Sequence, residues 1–399
     1  MLKYDKNINE IVYDYSRCQQ CGICEAVCPK QAISMNLRKD GTNDIIIDDD
    51  KCVRCKRCVN SCPTNIRENY DGYFDNFDRK EYYLGYNKDN EIRHKSSSGG
   101  VCKTLIIESL KSGLADGVYT LRRTDVFPYA EGEFYTKENC PQYDEIPNSV
   151  YHSIMACRNI NRIKYCKRLI VVGTSCQLRA MNTVLKGKAD EIIRICIFCK
   201  QQKTLDSTRF LAKISGTKIS DDLKFSIRYR GNGWPGIVKV NESELPYNRS
   251  AQIPFGRRLW TVPGCDICGD SFGVNNGADI TLMDPWKIRT LNDTGETLVI
   301  VHTETGKKLL RSIDSIVLQK KTFENVKPAL SLKDVWRKQQ TEPFFRGEKC
   351  SKTIQKAGEA EIRQRHHIWK IVDTLPKMPI LFYRLICKFY PDGRSRILK

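Results

Sequence analysis

The sequence of 399 residues predicts a small cysteine-rich α+β module followed by a larger α/β domain with a parallel or mixed sheet. Two observations lead to this prediction. A cysteine pattern occurs twice before residue 64, and helical segments alternate with short apolar runs from residue 96 onward. Such alternation is typical of a sheet covered by helices on both faces. We predict a module over 1–76, an α/β domain over 77–350 and a basic helical tail over 351–399.

The cysteine pattern is an internal duplication. The run CQQCGICEAVCP returns thirty-four residues later as CVRCKRCVNSCP. Gaps of two residues allow three thiolates of one loop to bind one cluster, while the fourth cysteine, followed by proline, binds the other cluster of the pair. The sharing predicts two 4Fe-4S clusters, the first held by Cys18, Cys21, Cys24 and Cys62 and the second by Cys52, Cys55, Cys58 and Cys28.

Residues 10–68 resemble bacterial two-cluster ferredoxins, which implies a ferredoxin-like two-cluster module. Zinc knuckles and disulfides are the alternatives. The nineteen cysteines follow a polar start and no signal peptide, which predicts a reducing, cytoplasmic location in which thiols are metal ligands or core residues. No apolar run approaches the length of about twenty residues that spans a bilayer.

The formal net charge is +19, which raises nucleic acid as a partner. Cluster-bound thiolates would offset part of that charge, and no nucleic-acid motif accompanies it, so no nucleic acid is expected. The tail mixes apolar and cationic residues. It is interpreted either as a packing helix or as a peripheral contact with the inner face of the membrane.

The secondary structure after the module is predicted from apolar periodicity. Residues 64–90 are interpreted as a linker that wraps around the protein. The loop 96–100 opens a helix that ends near Gly113, and 149–166 forms another helix. Buried strands are predicted at 167–173 and 191–198, and further strands at 223–240, 278–284 and 297–303.

Four cysteines of the α/β domain are candidates for a third metal site. Cys176 and Cys199 follow apolar strands, at the sheet edge where cofactors bind in open α/β folds. Cys265 and Cys268 form a CxxC loop. Together they predict a third 4Fe-4S cluster, with zinc or inert buried thiols as alternatives. The remaining cysteines are interpreted as structural thiols: Cys102, Cys140, Cys157, Cys166, Cys196, Cys350 and Cys387.

The motifs SSSGGVCKTLIIESLKSGLADGVY, VVGTSCQLRA, IFCKQQKT, FSIRYRGNGWPG and GCDICGDSFGVNNGADITLMDPW occur in that order between residues 96 and 286. Over residues 80–350 the chain resembles the coenzyme F-420 (deazaflavin) hydrogenase/dehydrogenase beta-subunit family. The resemblance implies an iron-sulfur flavoprotein that carries FAD. The sequence departs from the family pattern at Ser175, Lys200 and Met283.

Two turns are candidates for FAD phosphates, because helix starts offer free N–H groups and glycine permits close approach. The candidate residues are Ser97, Ser98, Gly99, Gly100, Gly173 and Thr174. GNGWPG at 231–236 matches GxGxxG, but its proline and its strand-like flanks indicate a turn between strands instead. Arg228, Arg230 and Trp234 are candidates to line a ligand pocket, with a solvated strand as the alternative.

We therefore predict an iron-sulfur flavoprotein oxidoreductase that passes electrons between ferredoxin-type clusters and FAD to reduce an unidentified substrate. Relatives near polysaccharide-synthesis enzymes suggest a small-molecule or lipid-linked substrate. The alternatives are a non-catalytic electron-relay subunit of a hydrogenase or dehydrogenase complex and a deazaflavin-dependent oxidoreductase. The partner is expected to be a low-potential electron donor or acceptor protein, and a homo-oligomer is compatible with the sequence. No catalytic residue is assigned.

Overall fold

The computed structural model describes residues 17–219, 223–256, 258–288, 293–375, 379–389 and 393–399. The side chain of Cys387 lies outside the described part. Within these ranges, no helix is long and apolar enough to cross a membrane.

The N-terminal module consists of short elements around its cysteines. Helices α1 (Ile23–Ala26) and α2 (Arg57–Ser61) each begin in a cysteine loop. Strands β1 (Ile33–Leu37) and β2 (Asn43–Ile47) pair antiparallel. Side chains of both strands pack with Cys24 and Cys62 in one small apolar core. The module therefore has little core of its own besides its cysteines.

The large domain contains a mixed sheet, which confirms the predicted α/β class, and eight strands of this sheet lie within the described residues. Its strands lie in the order β13, β3, β12, β11, β7, β6, β4, β5. The four central strands β11, β7, β6 and β4 are parallel, and the outer pairs are antiparallel. The bounds are β3 Glu81–Asn87, β4 Gly117–Arg123, β5 Ala130–Tyr135, β6 Cys166–Gly173, β7 Ala189–Ile197, β11 Ile280–Met283, β12 Thr297–Val301 and β13 Ile316–Lys321.

Helices cover this sheet on both faces, because its central strands are apolar on both sides. Buried strand residues such as Ile170 and Ile195 pack with α4 on one face, and Leu169 and Val171 pack with α5 on the other. The helices of this region are α3 Asn90–Lys95, α4 Val101–Lys111, α5 Ser175–Asn182, α6 Asp206–Ser215, α7 Gln252–Gly256, α8 Glu304–Arg311, α9 Phe323–Leu330 and α10 Leu332–Phe345.

A second, three-stranded sheet contains the GNGWPG segment. Its strands are β8 (Ile227–Arg228), β9 (Ile237–Val240) and β10 (Ser243–Pro246), all antiparallel. GNGWPG joins β8 to β9 and precedes no helix. The structure thus agrees with the prediction of a turn and with the rejection of a dinucleotide fingerprint.

Two local predictions are wrong. Residues 149–166 form only a short 3-10 helix, Ile160–Arg162, because this segment uses its hydrogen bonds for distant partners: the Cys157 N–H donates to the Cys21 carbonyl at 2.8 Å and the Ser153 N–H to the Lys203 carbonyl at 2.7 Å. The predicted linker 64–90 contains β3, which lies between β12 and β13. Its Tyr82 and Leu84 belong to a buried core, so the segment does more than wrap around the protein.

The C-terminal tail forms α11 (Lys352–Thr374), α12 (Ile380–Phe389) and α13 (Gly393–Ile397). Ile368 of α11 and Tyr383 of α12 are buried in the core beneath the small sheet. The Tyr383 hydroxyl donates to the Ile253 carbonyl at 2.8 Å. One face of the tail therefore packs on the large domain.

Candidate functional site

Three of the four cysteines in the first group of the module, Cys21, Cys24 and Cys62, are buried, and Cys18 is half-buried. Burial, and then the neighbouring thiols of Cys18, Cys21 and Cys62, raise the pKa of Cys24 well above its usual value. Burial and the Cys62 thiol likewise raise the pKa of Cys18 to about 12. Burial and repulsion between neighbouring thiolates disfavour ionisation in such a group, whereas bound iron stabilises thiolates. These four cysteines are the set that the duplication assigns to one cluster.

The second group lies nearer the surface. Burial and the thiols of Cys28, Cys55 and Cys52 raise the pKa of Cys58 to about 11. Cys55 is exposed, and the other three are partly exposed. Among the described residues of the module, the loop containing Cys55 is therefore the most exposed cysteine loop.

The four cysteines of the large domain line one small cavity. Cys176 lies in the first turn of α5, directly after β6, and Cys199 lies two residues after β7. Cys265 and Cys268 come from the 3-10 turn Pro263–Ile267 and the residue after it. Because β6 and β7 are parallel neighbours, their carboxyl ends bring Cys176 and Cys199 to the same sheet edge.

The thiols of this cavity interact with one another. A hydrogen bond joins Cys176 to Cys268; it lowers the pKa of Cys268 to about 7, with help from the positive charges of Lys338 and Arg179 and against the effect of burial. Burial and the Cys265 thiol raise the pKa of Cys199 to about 12. Four mutually close thiols suit a four-cysteine metal centre.

Iron-sulfur and zinc centres place different demands on these cysteines. Across the described ranges, no group of three or more His, Cys, Asp or Glu side chains is arranged to hold a metal ion. A 4Fe-4S cluster requires four cysteine thiolates, each on a different iron. Each of the three cysteine groups supplies that number.

The module is fixed to the third cysteine group by direct backbone contact. A Cβ added to Gly264 would lie 2.4 Å from the Arg17 carbonyl and 2.5 Å from the Cys18 carbonyl. The Gln19 side chain donates to the Gly264 carbonyl at 3.3 Å and also lines the four-cysteine cavity. Since Gly264 precedes Cys265, the loops of the first and third cysteine groups touch.

A buried ion pair makes a second connection. Arg179 of α5 pairs with Glu68, and both side chains are almost fully buried. The Arg179 guanidinium also donates to the Pro63 carbonyl at 3.1 Å. This pair links the segment after Cys62 to the helix that carries Cys176.

Asp266, between Cys265 and Cys268, is the centre of a buried ionic cluster. Its oxygens accept hydrogen bonds from Arg365 at 2.7 and 2.8 Å and from Arg394 at 2.9 Å. Arg258 lies 3.6 Å from Asp266 and 3.4 Å from Glu361. These arginines hold the pKa of Asp266 well below its usual range despite burial. Helices α11 and α13 thereby anchor the CxxC loop.

The predicted FAD loop has a structural role of its own. Gly100 precedes α4 with φ at 80°, and a Cβ on Gly99 would lie 2.4 Å from the Gly85 carbonyl. The Ser97 carbonyl accepts from Arg230 at 2.6 Å, and the Ser98 hydroxyl lies 3.2 Å from the Thr297 hydroxyl. The fold thus accounts for both glycines without a phosphate.

The structure does not bring the two predicted flavin turns to one cavity. Gly173 ends β6, and Thr174 caps α5 in a capping box with Gln177. Thr174 lines the four-cysteine cavity. The loop 97–100 lies instead beside β3 and β12, so the assignment of all six residues to FAD stays a prediction.

A cavity of about 830 Å³ opens beside this loop. Ser96 and Ser149 line it, and the Ser149 hydroxyl lies 3.0 Å from that of Ser97. Arg228 and Arg230 line it as well, whereas Trp234 packs on Trp286 and does not. Charged side chains of both signs complete its wall: Glu91, Lys95, Lys103, Arg123, Asp125, Asp144, Lys239, Glu242 and Glu244.

One short segment separates the two cavities. Ser149 and Val150 line the large cavity, and Ser153 and Ile154 line the four-cysteine cavity. Three residue steps span at most about 11 Å between Cα atoms. The walls of the two cavities therefore approach within about that distance.

Several residues of this region could not be identified from the sequence. Lys338 of α10 is 2% exposed, lines the four-cysteine cavity and donates to the Lys200 carbonyl at 2.5 Å. Cys157, interpreted as a structural thiol, contacts the Cys21 thiol. A lysine within an amphipathic helix usually faces solvent, so no sequence signal identifies Lys338. The arginines around Asp266 are likewise indistinguishable from surface cations.

Known families match most of the chain. Residues 166–325 match the C terminus of the "Coenzyme F420 hydrogenase/dehydrogenase" beta subunit, and residues 82–138 match the N-terminal part of the same protein. Residues 17–66 and 44–98 each match a 4Fe-4S dicluster domain. No curated protein matches the chain.

Among solved structures, the chain is similar to one described as the F420-reducing [NiFe] hydrogenase complex from Methanosarcina barkeri in a xenon derivatization. The identity is 18%, the TM-score is 0.47, and the match covers 65% of this chain and 88% of that chain. The family matches lie on the two parts that the fold separates, the cysteine-rich module and the large sheet domain. The chain belongs to the coenzyme F420 hydrogenase/dehydrogenase beta-subunit family and is an iron-sulfur electron-transfer protein with a 4Fe-4S dicluster domain.

Proposed function

We propose that this protein is an iron-sulfur flavoprotein oxidoreductase that passes electrons between three 4Fe-4S clusters and FAD to reduce a substrate. The observation that supports the proposal is the series of sites: the exposed Cys55 loop, the largely buried first group of cysteines, the four-cysteine cavity and the large cavity. Clusters transfer single electrons and a flavin accepts two, which is the chemistry these groups would supply.

The residues present fit the three clusters. Cys18, Cys21, Cys24 and Cys62 would hold the first, and Cys52, Cys55, Cys58 and Cys28 the second. Cys176, Cys199, Cys265 and Cys268 would hold the third. The chain places a buried cation, Lys338, beside the third set, and a cation next to bound thiolates stabilises the more negative, reduced state.

The large cavity has room for FAD, which the four-cysteine cavity of about 20 Å³ does not. Its volume of about 830 Å³ lies within the range of known ligand sites. Its wall includes the cationic side chains Arg228, Lys95 and Lys103. Their positive charges suit the negatively charged pyrophosphate of FAD. The short segment from Val150 to Ser153 keeps this cavity near the third cysteine group. Ser97 to Gly100 would contact the cofactor from the adjoining loop.

Anaerobic purification with iron, sulfide and flavin analysis tests the proposal. We expect about twelve irons and one FAD per chain. Cys176→Ala should lose about four irons and leave the dicluster signals unchanged. The matched control is Cys166→Ala, a buried thiol that lines neither cavity. About eight irons in the wild-type protein, unchanged by Cys176→Ala, would contradict the third cluster.

The substrate proposal is a small or lipid-linked intermediate of polysaccharide synthesis, at the cytoplasmic face of the membrane. Helix α12 supports a peripheral contact: Leu381 and Phe389 are 74% and 73% exposed, and Phe382 and Leu385 are exposed beside Arg384. Apolar and cationic side chains together suit an anionic lipid surface. Co-sedimentation with vesicles containing phosphatidylglycerol tests the contact, and equal recovery with and without vesicles would contradict it.

A relay subunit without its own substrate is the second candidate, because the Cys55 loop is open to a protein partner. The two functions differ in one assay. An enzyme reduces a small acceptor, including a deazaflavin if that is its substrate, with dithionite as the only donor. A relay subunit turns over only after its partner is added.

A further inference from the structure

The duplication provides an internal comparison of two cysteine loops. Gln20 and Arg54 occupy equivalent positions and share left-handed φ angles of 60° and 53°. Gly22 and Lys56 are also equivalent, with φ angles of 79° and 61°. The two loops therefore have the same backbone form at these positions. The backbone conformation of these loops therefore does not explain why their side chains differ.

The first loop is neutral and covered. Gln19 is 8% exposed, Gln20 3% and Ile23 1%. A Cβ on Gly22 would lie 2.8 Å from the Cβ of Met155, so this position requires glycine. Gln19, Gly22 and Ile23 face the large domain, whereas the Gln20 side chain hydrogen-bonds Asn43 of the module. Packing and these hydrogen bonds account for all four residues.

The second loop is cationic and exposed. Val53, Arg54, Lys56 and Arg57 are all exposed, and Val53 has 57% of its surface in solvent. A left-handed lysine is less favourable than a glycine, by about 1 kcal/mol. No ion pair joins Arg54 or Arg57 to a carboxylate among the described residues. The fold therefore gives no reason for cations at Arg54 and Arg57.

Acidic residues stand just before this loop. Lys51 pairs with Asp48 at 2.7 Å, and Asp49 and Asp50 are exposed just before Cys52. The stretch 53–57, which we call the basic loop, contains three cations and no acid. It surrounds Cys55, the exposed cysteine of the second group.

We propose that the basic loop is the docking surface for an acidic electron-carrier protein. The inference rests on the proposed function, because it assigns a partner to the second cysteine group. Opposite charges steer two proteins together and orient them, while exposed Val53 supplies a small apolar contact. In each encounter one electron would leave the carrier's own reduced centre and enter this protein, and no proton is required.

Binding is the first test, with a small acidic two-cluster ferredoxin as the probe. The variant R54Q/R57Q should bind about fivefold more weakly at about 0.1 M salt, since two exposed charge pairs are lost. The difference should disappear at about 1 M salt, where the Debye length falls to about 3 Å. The control K352Q/K356Q removes the same charge from exposed positions of α11 and should bind like wild type. Equal weakening in both variants would overturn the proposal.

Reduction kinetics give a second test, in which an acidic and a cationic electron donor should respond differently to the loss of the two arginines. With the photoreduced ferredoxin, R54Q/R57Q should be reduced more slowly than wild type, whereas with the cationic methyl viologen radical it should be reduced at least as fast. A damaged cluster site would slow both reactions. Iron content of both variants is measured alongside.

The two proposals fail in different ways. If viologen reduces no clusters in the wild-type protein, the proposed function itself is wrong. If viologen reduces them but the ferredoxin rate depends on neither salt nor Arg54 and Arg57, only the docking surface is wrong.

Discussion

Replacing Asp266 by asparagine should lower the free energy of unfolding by about 3–5 kcal/mol, the usual cost of removing one partner from a buried ion pair. The carboxylate is 5% exposed and receives hydrogen bonds from Arg365 and Arg394. Asparagine keeps the shape but leaves three guanidinium groups with Glu361 as their one remaining acid in the cluster. The unbalanced positive charge is what destabilises the variant.

The loss should appear first at the CxxC loop, because Asp266 lies between Cys265 and Cys268. Anaerobic urea unfolding measures the free energy, and iron analysis measures cluster retention. We expect D266N to lose about four irons at a urea concentration that leaves the other eight bound. The matched control is E359Q on α11, whose carboxylate pairs with Arg363 at 3.6 Å in solvent and should change stability by less than about 1 kcal/mol.

The pH dependence has a definite sign. The pKa of Glu361 is lowered to about 2, and that of Asp266 is lowered further, in each case by the arginines and against burial. A carboxyl whose pKa is depressed by folding stabilises the protein above its unfolded pKa of about 4 and loses that contribution as the pH falls. The stability of the wild type should therefore decline from about pH 4 toward pH 2, more steeply than that of D266N. If D266N is as stable as the wild type at pH 7, the stabilising role of the Asp266 carboxylate is refuted.

Three further predictions concern other residues. Lys338→Met should keep all the iron but lower the reduction potential of the third cluster by on the order of 100 mV, because one nearby positive charge is lost. An EPR redox titration measures this potential. Burial lowers the pKa of Lys103 to about 8, so FAD release should increase as pH rises through 8, and Lys103→Met should abolish that dependence in a fluorescence assay. L381S/F389S should weaken binding to phosphatidylglycerol vesicles at least about tenfold without changing the iron content.

The sequence predicts the metal-binding parts best, because ligand spacing is a local property. The dicluster loops follow from the two-residue gaps, and Cys176 and Cys199 share an edge because β6 and β7 are parallel neighbours. The third cluster and FAD themselves stay predictions. Long-range contacts were not predictable: residues 149–166 have helical periodicity but use the Cys157 N–H to bind the Cys21 carbonyl. The role of the tail was also hidden, since Arg365 and Arg394 gain buried partners only after folding.

The contact between Gly264 and the Cys18 backbone has a consequence for how the protein works in time. Some electron-transfer proteins shuttle a small domain between donor and acceptor, so their turnover depends on diffusion of that domain. Here a side chain at Gly264 would collide with the backbone of Arg17 and Cys18, and the Glu68–Arg179 ion pair is a second contact between the module and the large domain. The module is held on the large domain by these contacts, so electron transfer within the protein should be independent of solvent viscosity.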